Sequence, residues 1–71
     1  MTITYDPEVD AAYIRFLEGE HECTTLRISE EVAVNVAPGG KVVGIEVLDA
    51  SRNLEIARGA PQVHLENLRV V

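Results

Sequence analysis

The sequence predicts an α+β domain: a five-stranded antiparallel β-meander with one short helix near residues 50–58 packed on the sheet. Three observations carry this expectation. Apolar and polar residues alternate with period two through the first 48 residues, two separate turn signals agree on one apolar side, and the pattern changes to helical spacing after Leu48.

The first segment, TITYD, puts Ile3 and Tyr5 on one side with Thr2, Thr4 and Asp6 on the other. AAYIRFL groups Ala12, Ile14 and Phe16, and TTLRIS groups Leu26 and Ile28. EVAVNV contributes Val32, Val34 and Val36, and VVGIEVL contributes Val43, Ile45 and Val47. Gly39-Gly40 reads as a two-residue hairpin loop, since glycine reaches the positive φ that primed turns demand. That loop pairs Val36 with Val43, Val34 with Ile45 and Val32 with Val47. Ser29-Glu30-Glu31 as a three-residue loop pairs Ile28 with Val32 and Leu26 with Val34. Both turns send the branched aliphatics to the same side, and a slip of one residue would expose all of them. The other side holds Ala11, Tyr13, Arg15, Leu17, Arg27, Ala33, Asn35, Gly44, Glu46 and Leu48. There Ala33 falls between Arg27 and Glu46, so the two long side chains are expected to meet over its methyl group.

Beyond Leu48, Asp49 or Ser51 is expected to cap a helix running to Arg58, with Ala50, Leu54 and Ala57 at helical spacing. Gly59 and Pro61 stop it. The tail QVHLENLRVV alternates Val63 and Leu65 with His64 and Glu66, then ends in Leu68, Val70 and Val71, and is expected to be a short strand or a partner-dependent arm.

Seventy-one residues make one domain, 1–71. A chain this short buries only about 60% of its unfolded surface, so its margin of stability is thin and oligomerisation is a natural supplement. Cys23 is the sole cysteine, which rules out an internal disulfide and fits the reducing cytoplasm. No leader is expected, because the first basic residue is Arg15 and no apolar run precedes it; no apolar run is long enough for a membrane span. The formal charge is −6. Ten acidic residues face only Arg15, Arg27 and Lys41 in residues 1–50, whereas residues 51–71 carry a net +1. Such a surface repels phosphate backbones and anionic lipid, so neither nucleic acid nor membrane is an expected partner, and a basic protein is.

Asp6, Glu8 and Asp10 alternate along DPEVD, three hard oxygen ligands of the kind divalent cations take. They are weak metal candidates, because Ala11 and Leu17 stand where an EF-hand loop needs glycine and its closing glutamate, and Asp-Pro is a common turn opening. His21 and Cys23 lie among Glu18, Glu20 and Glu22, but a closed zinc set lacks its remaining ligands, with His64 far along the chain. Nothing cationic beside Cys23 is predicted to activate its thiol. Ser29 and Ser51 are read as a turn residue and a helix cap rather than nucleophiles. PGGK lacks the spacing and following helix of a phosphate-binding loop. Tyr5, Tyr13 and Glu46 are weak candidates for contacting a small ligand. No catalytic residue and no cofactor is assigned.

Two stretches, YDPEVDAAYIRF and GGKVVGIEVLDAS, carry a resemblance to a known family. Tyr5, Asp6, Glu8, Asp10, Tyr13 and Ile14, then Val43, Gly44, Ile45, Glu46, Leu48, Ala50 and Ser51, are similar to the opening and closing signatures of domain of unknown function family 2283, over roughly residues 3–52. The resemblance implies a compact α+β fold and no established activity. Members occur in bacteria and archaea, some beside small genes resembling toxin–antitoxin components, which points to a protein partner. The family's central turn is polar and acidic before its glycine, whereas this chain has Ala37-Pro38-Gly39-Gly40.

The expected function is therefore a protein-interaction module, either a homo-oligomer or the acidic, toxin–antitoxin-like partner of a basic protein. Its interface is expected to comprise Tyr13, Arg27, Ala33, Asn35, Gly44 and Glu46 with Leu68 and Val70 of the tail. The alternative is a small ligand- or divalent-metal-binding protein with modest enzymatic activity.

Overall fold

A computed structural model describes residues 1–55. The expected tail, including Leu68 and Val70, lies outside the described residues, as do residues 56–58 of the expected helix with Gly59 and Pro61. Five strands form one antiparallel sheet: β1 (Thr2–Asp6), β2 (Ala11–Arg15), β3 (Thr24–Arg27), β4 (Val32–Val36) and β5 (Val42–Leu48), followed by helix α1 (Ala50–Asn53). Their spatial order is β1-β2-β5-β4-β3. Chain neighbours are sheet neighbours except at one step, where β5 rather than β3 lies beside β2. Chain length and burial account for this. Residues 16–23 span the distance to the far edge, β3 is short and exposed throughout, and β5 is the longest strand and has three buried positions, so it takes the centre.

The predicted register holds where two turns agreed on it. Val32 faces Val47 and Val34 faces Ile45, while Leu26 faces Val34. Ile28 closes its turn by donating its amide to the Val32 carbonyl at 2.9 Å. Next to the glycines the register differs: Val36 stands opposite Val42, not Val43. The Gly40 amide donates to the Ala37 carbonyl and the Ala37 amide to the Lys41 carbonyl. Proline is preset for the first corner of such a turn, Gly39 (φ 89°) takes the second, and Gly40 (φ 85°) adds a third loop residue. The loop is thus Pro38-Gly39-Gly40, and a β-bulge absorbs the extra residue before Asn35 meets Gly44.

The core cluster is built of small side chains. Ala12, Val47 and Ala50 are buried together, with Tyr5 and Ile45 packed against them where α1 sits on the apolar side. The helix is shorter than its spacing predicted. Leu54 leaves helical geometry and Glu55 has φ 55°, so the helix ends at Asn53. Its cap also differs. Asp49 adopts left-handed geometry and makes no side-chain cap bond, and Ser51 lies inside the helix rather than before it. Asp10 replaces them from across the fold. Its carbonyl accepts the Ala50 amide at 2.9 Å, and its carboxylate accepts the Ser51 amide at 3.0 Å. Two amides of the first turn, which always lack partners within their own helix, are satisfied by one distant residue. No helix among the described residues is long and apolar enough to cross a membrane.

Candidate functional site

The strand registers lay the polar side out in rows. One row runs Thr4, Tyr13, Glu46, Ala33, Arg27, and the next runs Thr2, Arg15, Gly44, Asn35, Thr25. All six expected interface residues among those described therefore share one face, contributed by β2, β5, β4 and β3. Arg27 and Glu46 approach to 3.8 Å. They flank Ala33, as the expected pairing has it, and Ala33 is only 3% exposed.

Tyr13 links the two rows. Its ring leans off its own partner Glu46 and across Gly44, so its hydroxyl accepts a hydrogen bond from Asn35 Nδ2 at 3.0 Å. The Thr25 hydroxyl donates to Asn35 Oδ1 at 2.8 Å, which fixes the amide's orientation. Gly44 is required by this arrangement. A β-carbon built there would lie 2.4 Å from the Tyr13 hydroxyl oxygen and 2.5 Å from its ring carbon, closer than atoms can pack. Arg15 places its guanidinium 5.7 Å from the Tyr13 ring centre and donates to the carbonyls of Leu17 and Gly19. Sequence reasoning did not single out Arg15 or Thr25. The missing signal was the β2–β5 pairing, which sets Arg15 directly beside Gly44 and hence next to the ring.

The weak ligand candidates Tyr5, Tyr13 and Glu46 border one open depression of about 260 Å3 together with Thr4, Ala11 and Val9. The members of the acidic triplet do different things. The Asp6 carboxylate accepts the Glu8 amide at 3.0 Å, an aspartate turn of the expected kind. Asp10, with φ 53°, is turned inward and 7% exposed. Its carboxylate accepts from the Tyr5 hydroxyl at 2.6 Å and from the Ser51 hydroxyl at 2.6 Å, besides the Ser51 amide. Among the described residues no group of three histidine, cysteine, aspartate or glutamate side chains is arranged to hold a metal ion.

The remaining candidates stay local. His21 Nε2 contacts the Glu18 carbonyl at 2.7 Å, and the exposed Cys23 thiol donates weakly to the His21 carbonyl. The Ser29 hydroxyl accepts the amides of Glu31 and Val32 inside its turn. At the edge of the helix end, Arg52 pairs with both carboxylate oxygens of Glu31 and reaches Asp49 at 3.3 Å. The Arg52 guanidinium, foremost among its neighbours, holds the Glu31 carboxyl below its ordinary value of 4.5.

The two resembling stretches pair along β2 and β5, and their side chains lock together at two points: Tyr5 and Asp10 with Ser51, and Tyr13 with Gly44. No curated protein and no solved structure matches the chain. The family model described as protein of unknown function, DUF2283, matches residues 2–51, the span that contains both of these locking points, and the chain belongs to that family.

Proposed function

We propose that this protein is a protein-interaction module of the cytoplasm that presents its polar sheet face to a second protein, either another copy or a basic, toxin–antitoxin-like partner. One observation carries the reading. On this face an aromatic ring and an amide are already fixed in place by Gly44 and Thr25, and an arginine lies beside the ring, so little side-chain freedom remains to be lost on contact. Tyrosine and arginine are the side chains that most often anchor protein interfaces. The excess of acid in residues 1–50 favours a basic partner through faster, steered encounter.

The test transposes charge without removing it. In the double variant Arg27→Glu with Glu46→Arg, the ion pair within the sheet is kept while a partner meets reversed signs. Light scattering at micromolar concentration should show the wild-type chain above monomer mass, alone or with its partner, and the double variant reduced to monomer with an unchanged circular dichroism spectrum. A wild-type chain that stays monomeric and captures no partner from its source cell overturns the reading.

A second reading rests on the depression bordered by Tyr5, Tyr13 and Glu46, with room for a small ligand, and on the acidic turn at Asp6 and Glu8 for a divalent ion. Thermal shifts with divalent ions at millimolar concentration test the metal version, which a melting temperature indifferent to every ion would end.

A further inference from the structure

The sheet ends in two unlike edges. At one, β1 keeps Ile3 and Tyr5 half-buried. At the other, β3 is exposed at every position, with Leu26 at 50% and Ile28, just beyond the strand, at 66%. The pairing of β3 with β4 fixes which backbone groups are already engaged. Ile28 donates its amide to the Val32 carbonyl, and in an antiparallel ladder the bonded residues recur at every second position. Leu26 and Thr24, opposite Val34 and Val36, therefore turn their amides and carbonyls to β4, whereas Thr25 and Arg27 turn theirs outward. Among the described residues no strand lies beyond β3. Proline, lysine or a bulge commonly blunts such an edge. Residues 24–27 hold neither proline nor lysine, the bulge lies between β4 and β5, and Arg27 leans back toward Glu46.

We infer that β3 pairs with β3 of a second copy, antiparallel about a two-fold axis, with Leu26 opposite Leu26. The strand is complementary to itself in this register. With Leu26 at the axis, Thr25 of each copy stands opposite Arg27 of the other, and each such pair exchanges both of its bonds. Every outward amide and carbonyl of β3 is then used. Setting Thr25 at the axis instead requires Cys23, which lies outside the strand, as a partner for Arg27. Setting Arg27 there puts two guanidinium groups directly opposite each other, a destabilising arrangement. In the favoured register the two Leu26 residues form a non-hydrogen-bonded pair, whose α-carbons approach to about 4.5 Å, so each half-exposed leucine covers the other. Ile28 lies across from Thr24 on the same side. Charge agrees with this register: Arg27, the strand's only charge, comes to the end where Glu20 and Glu22 of the second copy lead into its β3. Odd-numbered side chains of both copies share a side, so the two polar sides become one continuous surface. The edge contact thus goes beyond the polar-face contact proposed above and leaves that face open.

Leu26 lies on the apolar side, so substituting it tests the edge alone, whereas exchanging Arg27 and Glu46 alters the edge and the polar face together. Sedimentation equilibrium of the full chain at micromolar concentration should give a dimer. Leu26→Glu and Leu26→Lys should each sediment as a monomer, with the circular dichroism spectrum unchanged. Mixed one to one, with one of them labelled with nitrogen-15, they should regain dimer mass as mixed pairs in native mass spectrometry, because a carboxylate then faces an ammonium. Hydrogen exchange in the unmodified chain is the second measurement. The outward amides of Thr25 and Arg27 should exchange slowly in the dimer and at least tenfold faster once dilution separates it. A wild-type chain of monomer mass overturns the edge pairing, while capture of a basic partner would still support the polar-face reading. Single variants that stay dimeric, or a mixture that stays monomeric, overturn it too. Slow exchange of Thr25 and Arg27 that ignores dilution assigns the edge to a segment of the same chain and has the same effect.

Discussion

The two places where side chains of the opening and closing signatures lock together are built to opposite specifications. At the Asp10 corner a carboxylate 7% exposed to solvent is saturated by the Tyr5 hydroxyl and by the amide and hydroxyl of Ser51. At the Tyr13 crossing an aromatic ring lies on a glycine with its hydroxyl bonded to Asn35, half-buried on an open face. A buried polar network of this kind fixes geometry and offers nothing to a visitor. A half-open one holds its shape while staying available. Residue types alone do not separate these roles: Tyr5 and Tyr13 belong to the same motif, yet one fastens the helix to the sheet and the other lies on the displayed face.

Substitutions at the two places should therefore differ in size and in kind. Asp10→Ala leaves a hydroxyl, an amide and a second hydroxyl without their acceptor and removes the helix cap. Losing hydrogen bonds to a charged group and stranding half-buried donors should cost about 3 kcal/mol, read as the midpoint of urea unfolding. A midpoint unchanged from wild type would mean the corner is not what joins α1 to the sheet. At the crossing, Gly44→Ala should cost about 1–3 kcal/mol through overpacking against the Tyr13 ring. The diagnostic is coupling: adding Tyr13→Ala should recover part of the loss, whereas independent sites would simply add. Arg27 and Glu46, roughly half exposed, should show a coupling of about 0–1 kcal/mol in a double-mutant cycle.

The smallest effect is one of pH. The Glu31 carboxyl is held low in the folded chain, chiefly by Arg52, so its contribution is fully present above the unfolded value of 4.5 and is lost as pH falls through the lower folded value. Glu31→Gln should melt slightly below wild type at neutral pH, with the two melting curves converging in acid. A gap that persists in strong acid would sever the effect from this carboxylate.

Much of the sheet's register was legible in the chain. Val34 opposite Ile45 and Ala33 between Arg27 and Glu46 followed from alternation plus turn length, because a half-buried sheet admits one register. Pro38 hid the bulge. Read as a Gly-Gly loop the turn has two residues, but proline at the first corner shifts it to three, and β5 must absorb the difference. Asp10 was equally opaque. Its spacing from Asp6 and Glu8 suggests three carboxylates on one side, but a left-handed backbone at Asp10 turns it inward, toward a serine forty-one positions away. No local pattern encodes a partner at that separation.

Placing β5 at the centre has a consequence for how the chain acquires its shape. The β3-β4-β5 unit joins neighbours through short turns, so it can assemble from local contacts, whereas the β1-β2 hairpin waits for β5 to close a long loop. On a ribosome, the first two strands are made early and docked late. During that interval the edge of β2 that later meets β5 has no neighbour, and it is there that a newly synthesised chain is most open to capture by another molecule.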